Sequence, residues 1–66
     1  MSTAYQLVAD SLRSAIQNGD WAPGDRLPGE MELARIHAVS RNTIRQALSQ
    51  LESSNLVRRQ QGHGTF

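Results

Sequence analysis

The sequence predicts a mainly α domain of three helices followed by a small β-hairpin. Three observations predict it. Apolar residues recur with the spacing of one helical face in three successive segments. Turn-forming Gly, Pro, Ser and Asn separate those segments. The chain then finishes with two short stretches suited to strands on either side of Gly62-His63-Gly64.

The first helix runs from about Thr3 to Asn18, with Tyr5, Val8, Ala9, Leu12, Ala15 and Ile16 on one face. Thr3 followed by Gln6 fits a capping box, in which each side chain satisfies a free backbone donor. Gly19 suits a left-handed stop. A turn-rich link follows, with a short extended piece expected around Asp25–Leu27 and Trp21 as a lid on the core. The second helix starts after Pro28, with Gly29 as cap. Glu30 and Glu32 in its first turn face the positive end of the helix dipole. It ends near His37, and Ala38-Val39 makes a tight corner. Ser40 caps a third helix that runs to about Ser54 and buries Ile44, Ala47, Leu48 and Leu51. Asn55, tolerant of positive φ, ends it. Leu56 to Gln61 then reads as a strand and Thr65-Phe66 as the start of its partner.

A chain of 66 residues is one domain at most. At this size only about 60% of the unfolded surface is buried, which leaves little room for an enclosed catalytic pocket. With no cysteine, neither a disulfide nor a thiolate metal site supplements the core. The histidines are far apart and the carboxylates fall on helix starts, so no nucleophile–base pair or ligand set emerges. The reading is of a non-enzyme without cofactor or metal. No apolar run approaches a membrane span or a signal-peptide core, and Met-Ser-Thr reads as an ordinary cytosolic start.

Net charge is only +1, but its distribution is uneven. Residues 1–34 carry two arginines against five carboxylates, a net of −3, and residues 35–66 carry five arginines against Glu52 alone, a net of +4. All seven basic residues are arginine, the side chain suited to bidentate bonds with phosphate and guanine. A polyanion partner on one face follows.

Two short helices around a corner, the second capped by Ser and bearing Arg in its first turns, make a helix-turn-helix, here Glu30 to Ser49. Such a motif places the start of its second helix, here about residues 40–54, in the DNA major groove. Ser40, Arg41, Asn42 and Thr43 occupy that start, with Arg45 and Gln46 one turn on. Arginine reads guanine, asparagine reads adenine, and threonine offers a hydroxyl or a methyl. Arg41 and Arg45, four apart, would repel each other unless an anion lay between them. Arg58 and Arg59 fall on opposite faces of an alternating strand, so one is expected to touch backbone and the other solvent. The rival reading is a domain of this shape used for protein–protein contact. RNA ranks third, because its deep major groove excludes a helix.

Several linked stretches carry a family resemblance: Gly24-Asp25-Arg26-Leu27-Pro28-Gly29-Glu30, Glu32-Leu33-Ala34, Val39-Ser40-Arg41, Thr43-Ile44-Arg45-Gln46-Ala47-Leu48 and Gln61-Gly62-His63-Gly64-Thr65-Phe66. From about residue 5 to residue 66 the chain resembles the GntR-type bacterial transcription regulators, with an ending similar to the HutC-type branch. The resemblance implies a winged helix-turn-helix over residues 1–66, in the order helix, short strand, helix, helix, strand, wing, strand. It implies base and phosphate contacts by Arg41, Asn42, Thr43 and Arg45, and a wing over 61–65 near the minor groove, with Gln61, Gly62, His63 and Gly64. It further implies a cytoplasmic transcriptional repressor that reads palindromic double-stranded operators as a homodimer. Its small-molecule effector would bind a C-terminal domain that this chain does not include.

Departures from the family pattern are informative. Gly29 stands where Ser or Ala is frequent and is a weaker cap, and Met31 cannot donate the hydrogen bond of the Arg common there. Ala38 replaces a frequent glycine, at a cost of roughly 1 kcal/mol if the corner needs positive φ. Asn42 stands where Thr is frequent, and His63 replaces a common basic residue, which would favour wing binding below about pH 6.5.

Overall fold

The computed structural model describes residues 3–22, 24–60, 62 and 64–66. Helix α1 spans Ala4–Gln17, α2 Glu30–His37 and α3 Arg41–Ser53, and a two-stranded sheet of β1 (Arg59–Gln60) and β2 (Gly64–Thr65) follows. Helix α3 packs against both α1 and α2. It is the central helix because one face of it is entirely apolar: Ile44, Ala47, Leu48 and Leu51 are all buried.

Each helix starts where its capping chemistry puts it. Thr3 and Gln6 form the reciprocal capping box of α1, with Thr3 Oγ1 accepting from the Gln6 N–H at 3.4 Å and Gln6 Oε1 accepting from the Thr3 N–H at 3.2 Å. Gly19, at φ +84, closes its C-terminal end, its N–H donating to Ile16 O. Gly29 caps α2 with no side-chain bond, so only Glu30 and Glu32 favour that end electrostatically. Asn55 takes φ 61 beyond α3, as the short polar side chain allows.

The corner between α2 and α3 is made by Ala38 in the left-handed region, φ 55 and ψ 44. Its N–H donates to Ala34 O and Arg35 O, and the Val39 N–H donates to Ala34 O at 3.0 Å. Val39 and Ala34 turn inward against the core beside Leu33. The remaining core is Val8, Ala9 and Leu12 from α1, with Leu27 and Val57 from the connecting segments. Trp21 is half-buried over this core, the lid the sequence predicts.

The extended piece expected over Asp25–Leu27 is not a ladder strand. Asp25 is turned back, its N–H donating to Ala22 O and its carboxylate accepting from the Ala22 N–H, both at 2.9 Å. Pro28 then offers no donor. What survives is one bond, from the Leu27 N–H to Thr65 O at 2.8 Å, which ties this segment to the edge of β2. The sheet itself is antiparallel, with Arg59 opposite Thr65 and Gln60 opposite Gly64, and Arg58 and Phe66 exchange a further pair of backbone bonds. The strands are therefore shorter than the sequence suggests.

Candidate nucleic-acid interface

Ser40 begins α3 as its N-cap, accepting from the Thr43 N–H at 3.2 Å, and its hydroxyl lies 3.0 Å from Thr43 Oγ1. This cap sets which side chains leave the helix start. Ser40, Arg41, Asn42, Arg45 and Gln46 are exposed. Thr43 is half-buried and its hydroxyl is engaged with the cap, so of the six it is the least free to reach outward. Ser40, Arg41, Asn42 and Arg45 line one open concavity of about 370 Å³.

The two arginines do have an anion between them. Glu30 of α2 reaches across, with Oε1 accepting from Arg45 Nε at 3.0 Å and lying 3.7 Å from Arg41 Nη2. Sequence reasoning treats Glu30 as a helix-start group alone. The contact crosses 15 positions in sequence, so no local spacing reveals it. A single carboxylate thus holds both guanidinium groups on one side of the α3 start while they remain more than half exposed, at 56% and 54%.

The hairpin lies next to this helix start. Arg41, Met31, Glu30, Gly62, Gly64 and Arg59 contribute to one open cleft of about 700 Å³. Gly62 forms its outer turn at φ +81. Gln61 and His63, also expected at the wing, lie outside the described residues. Arg59 is on the cleft side, but it is bound within the domain: Nε and Nη2 donate to Glu52 Oε1 at 3.2 and 3.1 Å, and Nη2 also donates to Ser49 Oγ at 2.9 Å. Its backbone N–H donates to Glu52 Oε2 at 3.1 Å. Those bonds hold the Glu52 carboxyl below its ordinary pKa, the backbone N–H first and the guanidinium second. Arg58 alternates to the opposite face, beside Trp21 and Phe66.

On the outer face of α2, Arg35 Nε donates to Glu32 Oε2 at 3.2 Å, and Arg35 Nη2 pairs with Glu32 Oε1. This bonding lowers the Glu32 pKa and raises that of Arg35.

Three helices with a helix-turn-helix corner and a hairpin beside the second of its helices define a winged helix-turn-helix. The chain belongs to the bacterial regulatory proteins of the gntR family, whose model matches residues 4–66. It is 44% identical over 62 residues to the mannosyl-D-glycerate transport/metabolism system repressor MngR of Escherichia coli K12, covering 94% of this chain and 26% of that protein. A histidine utilization repressor of Pseudomonas aeruginosa is 45% identical, with 94% and 25% covered. The chain therefore spans about a quarter of the length of these relatives. In three dimensions it is similar to AraR(DBD) in complex with operator ORE1, with a TM-score of 0.97 and 39% identity over 100% of this chain and 80% of that one. Among the described residues no helix is long and apolar enough to cross a membrane.

Proposed function

We propose that this domain is the operator-reading part of a cytoplasmic transcriptional repressor, binding double-stranded DNA in a sequence-specific way. The observation that carries the reading is the start of α3: Ser40 as cap, with Arg41, Asn42 and Arg45 exposed around one concavity beside the hairpin. In a helix-turn-helix this end of the second helix enters the major groove. Arg41 and Arg45 supply donors for guanine and phosphate, and Asn42 supplies the donor and acceptor that pair with adenine. Thr43 contributes its methyl more readily than its hydroxyl, which the cap uses. Gln46 adds a polar group one turn on. The wing, with Gln61, Gly62, His63 and Gly64, approaches the minor groove.

The likeness to structures of AraR with operator DNA supports this reading, as do relatives named as repressors. Glu30 then has a defined part. It orients two arginines before DNA arrives, and phosphate or guanine competes with it for their donors. In the full-length protein a homodimer presents two such domains to a palindrome, and a further domain takes a small-molecule effector.

Selection of bound duplexes from a random pool, with two copies of the domain linked, tests the proposal, and recovery of no common motif overturns it. On the selected operator, Arg41→Ala should weaken binding by about 1–3 kcal/mol and relax preference at one base pair. Equal loss on operator and random duplex would make Arg41 a phosphate contact instead.

A further inference from the structure

We infer that Arg26, which precedes α2 and faces the same cleft, is a DNA-phosphate contact built into the base of the wing. The inference rests on the DNA-binding reading above and adds a residue to it.

The first ground is the charge pairing of the cleft. Arg26, Arg41 and Arg59 all line it, together with the carboxylates Glu30 and Glu52. Glu30 is taken by Arg41 and Arg45, and Glu52 by Arg59. Arg26 is exposed and has no ion pair among the described residues. Among the described residues it is thus the cleft's uncommitted cation, on the side where α3 presents Arg41. An unpaired guanidinium there adds attraction for an anion without first breaking an internal bond.

The second ground is that the fold makes a seat for it. A Cβ placed on Gly64 would lie 2.6 Å from Arg26 Nε and 3.3 Å from its Cζ, so a side chain there would push the guanidinium aside. The guanidinium end of Arg26 therefore lies against the backbone of β2 at Gly64, whose φ of +110 itself favours glycine. The next residue pins the seat, since the Leu27 N–H donates to Thr65 O at 2.8 Å and the Leu27 side chain is buried. Gly64, expected from sequence as a point of close approach to the minor groove, accommodates an approach from within the molecule.

The third ground is position. The seat links the two DNA-facing elements, because Arg26 lies against the hairpin while Glu30, four residues later, holds the α3 arginines. A phosphate bound there registers the wing against the recognition helix. Such contacts position a protein on the duplex without reading sequence.

Salt dependence separates this role from others. Each phosphate contact adds close to one unit to the slope of log affinity against log salt concentration. In the linked two-domain protein on its selected operator, Arg26→Ala should lower that slope by about one per domain. Affinity should fall by about tenfold per site, by the same factor on operator and random duplex. Arg26→Lys should keep the slope. Arg26→Gln, which retains most of the packing, should lose it with the melting temperature unchanged, so a folding defect is told apart from a lost contact. An unchanged slope in Arg26→Gln overturns the inference, and so does a loss confined to operators carrying one particular base pair. Failure of the parent protein to bind any duplex would overturn the DNA-binding reading itself, a separate result.

Discussion

The α2–α3 pair and the hairpin line the same cleft, yet they are held by different physics. Beneath the corner, Leu33, Ile44, Leu48 and Leu51 are at most 1% exposed, so the recognition helix is fixed by dense apolar packing. The hairpin strands have two residues each, and β1 is exposed throughout. Besides the half-buried β2, its attachment is polar: the Arg59 bonds to Glu52 and Ser49, and the Leu27 N–H to Thr65 O. One element is positioned by apolar burial. The other is positioned by charge-assisted bonds in contact with water, which solvent conditions alter. A domain built this way keeps α3 rigid and leaves its hairpin adjustable.

The contrast is broken most severely from the core side. Leu51 is fully buried in the last turn of α3, and Leu51→Ala opens a cavity in the core. The expected loss is about 2–5 kcal/mol of stability, enough to unfold much of a domain this small. Thermal or urea unfolding followed by helical circular dichroism checks it. A loss below about 1 kcal/mol would mean that the core collapses around the gap, and that packing does not fix the helix as described.

The corner itself offers a smaller change of opposite sign. Ala38 holds φ 55, a conformation that a β-carbon disfavours and glycine does not. Ala38→Gly should therefore stabilise the domain by about 1 kcal/mol, the relief of backbone strain outweighing the added freedom of the unfolded chain. The midpoint of urea unfolding reads this directly. Destabilisation by the same amount would show that the Ala38 methyl contributes packing that offsets its strain.

Much of the rigid half was legible in the sequence, for a physical reason. Thr3 with Gln6, Ser40 as a cap, and the spacing of Ile44, Ala47, Leu48 and Leu51 all act within one or two helical turns. Short-range chemistry of that kind is written in order along the chain. The demand for an anion near Arg41 and Arg45 was also legible, since like charges four apart require one. Its source was not, because Glu30 comes to the pair only when α2 folds over α3. Glu52 with Arg59, and Arg26 over Gly64, depend in the same way on the hairpin closing against the helices. Surface charges have no periodicity that announces a partner. The Asp25–Leu27 segment shows the reverse failure, since its residue types suit a strand while Asp25 spends its hydrogen bonds on a local turn.

The adjustable half yields the smallest effect and the most specific one. Glu52 is half-buried, and its pKa is lowered by the Arg59 backbone N–H and then by the Arg59 guanidinium. A carboxylate whose folded pKa lies below its unfolded value stabilises the folded arrangement above the unfolded pKa, about 4.3 for glutamate. That contribution is lost as pH falls through the lower folded value. At neutral pH the bond between wing and α3 is therefore intact, and acidification should release it before the buried core responds. Because the pair is partly open to water, the gain in global stability is small. The sensitive readout is local: in a ¹H–¹⁵N spectrum, the Arg59 backbone amide should titrate with a midpoint below that of a free glutamate. Leu48 and Leu51 amides should stay unmoved over the same range. Glu52→Gln should abolish the Arg59 titration, since the amide keeps an acceptor for the backbone N–H but carries no charge to lose. Arg59 and Leu51 shifting together, at one midpoint, would mean that hairpin and helices are a single cooperative unit and that the division between a rigid and an adjustable reader is wrong.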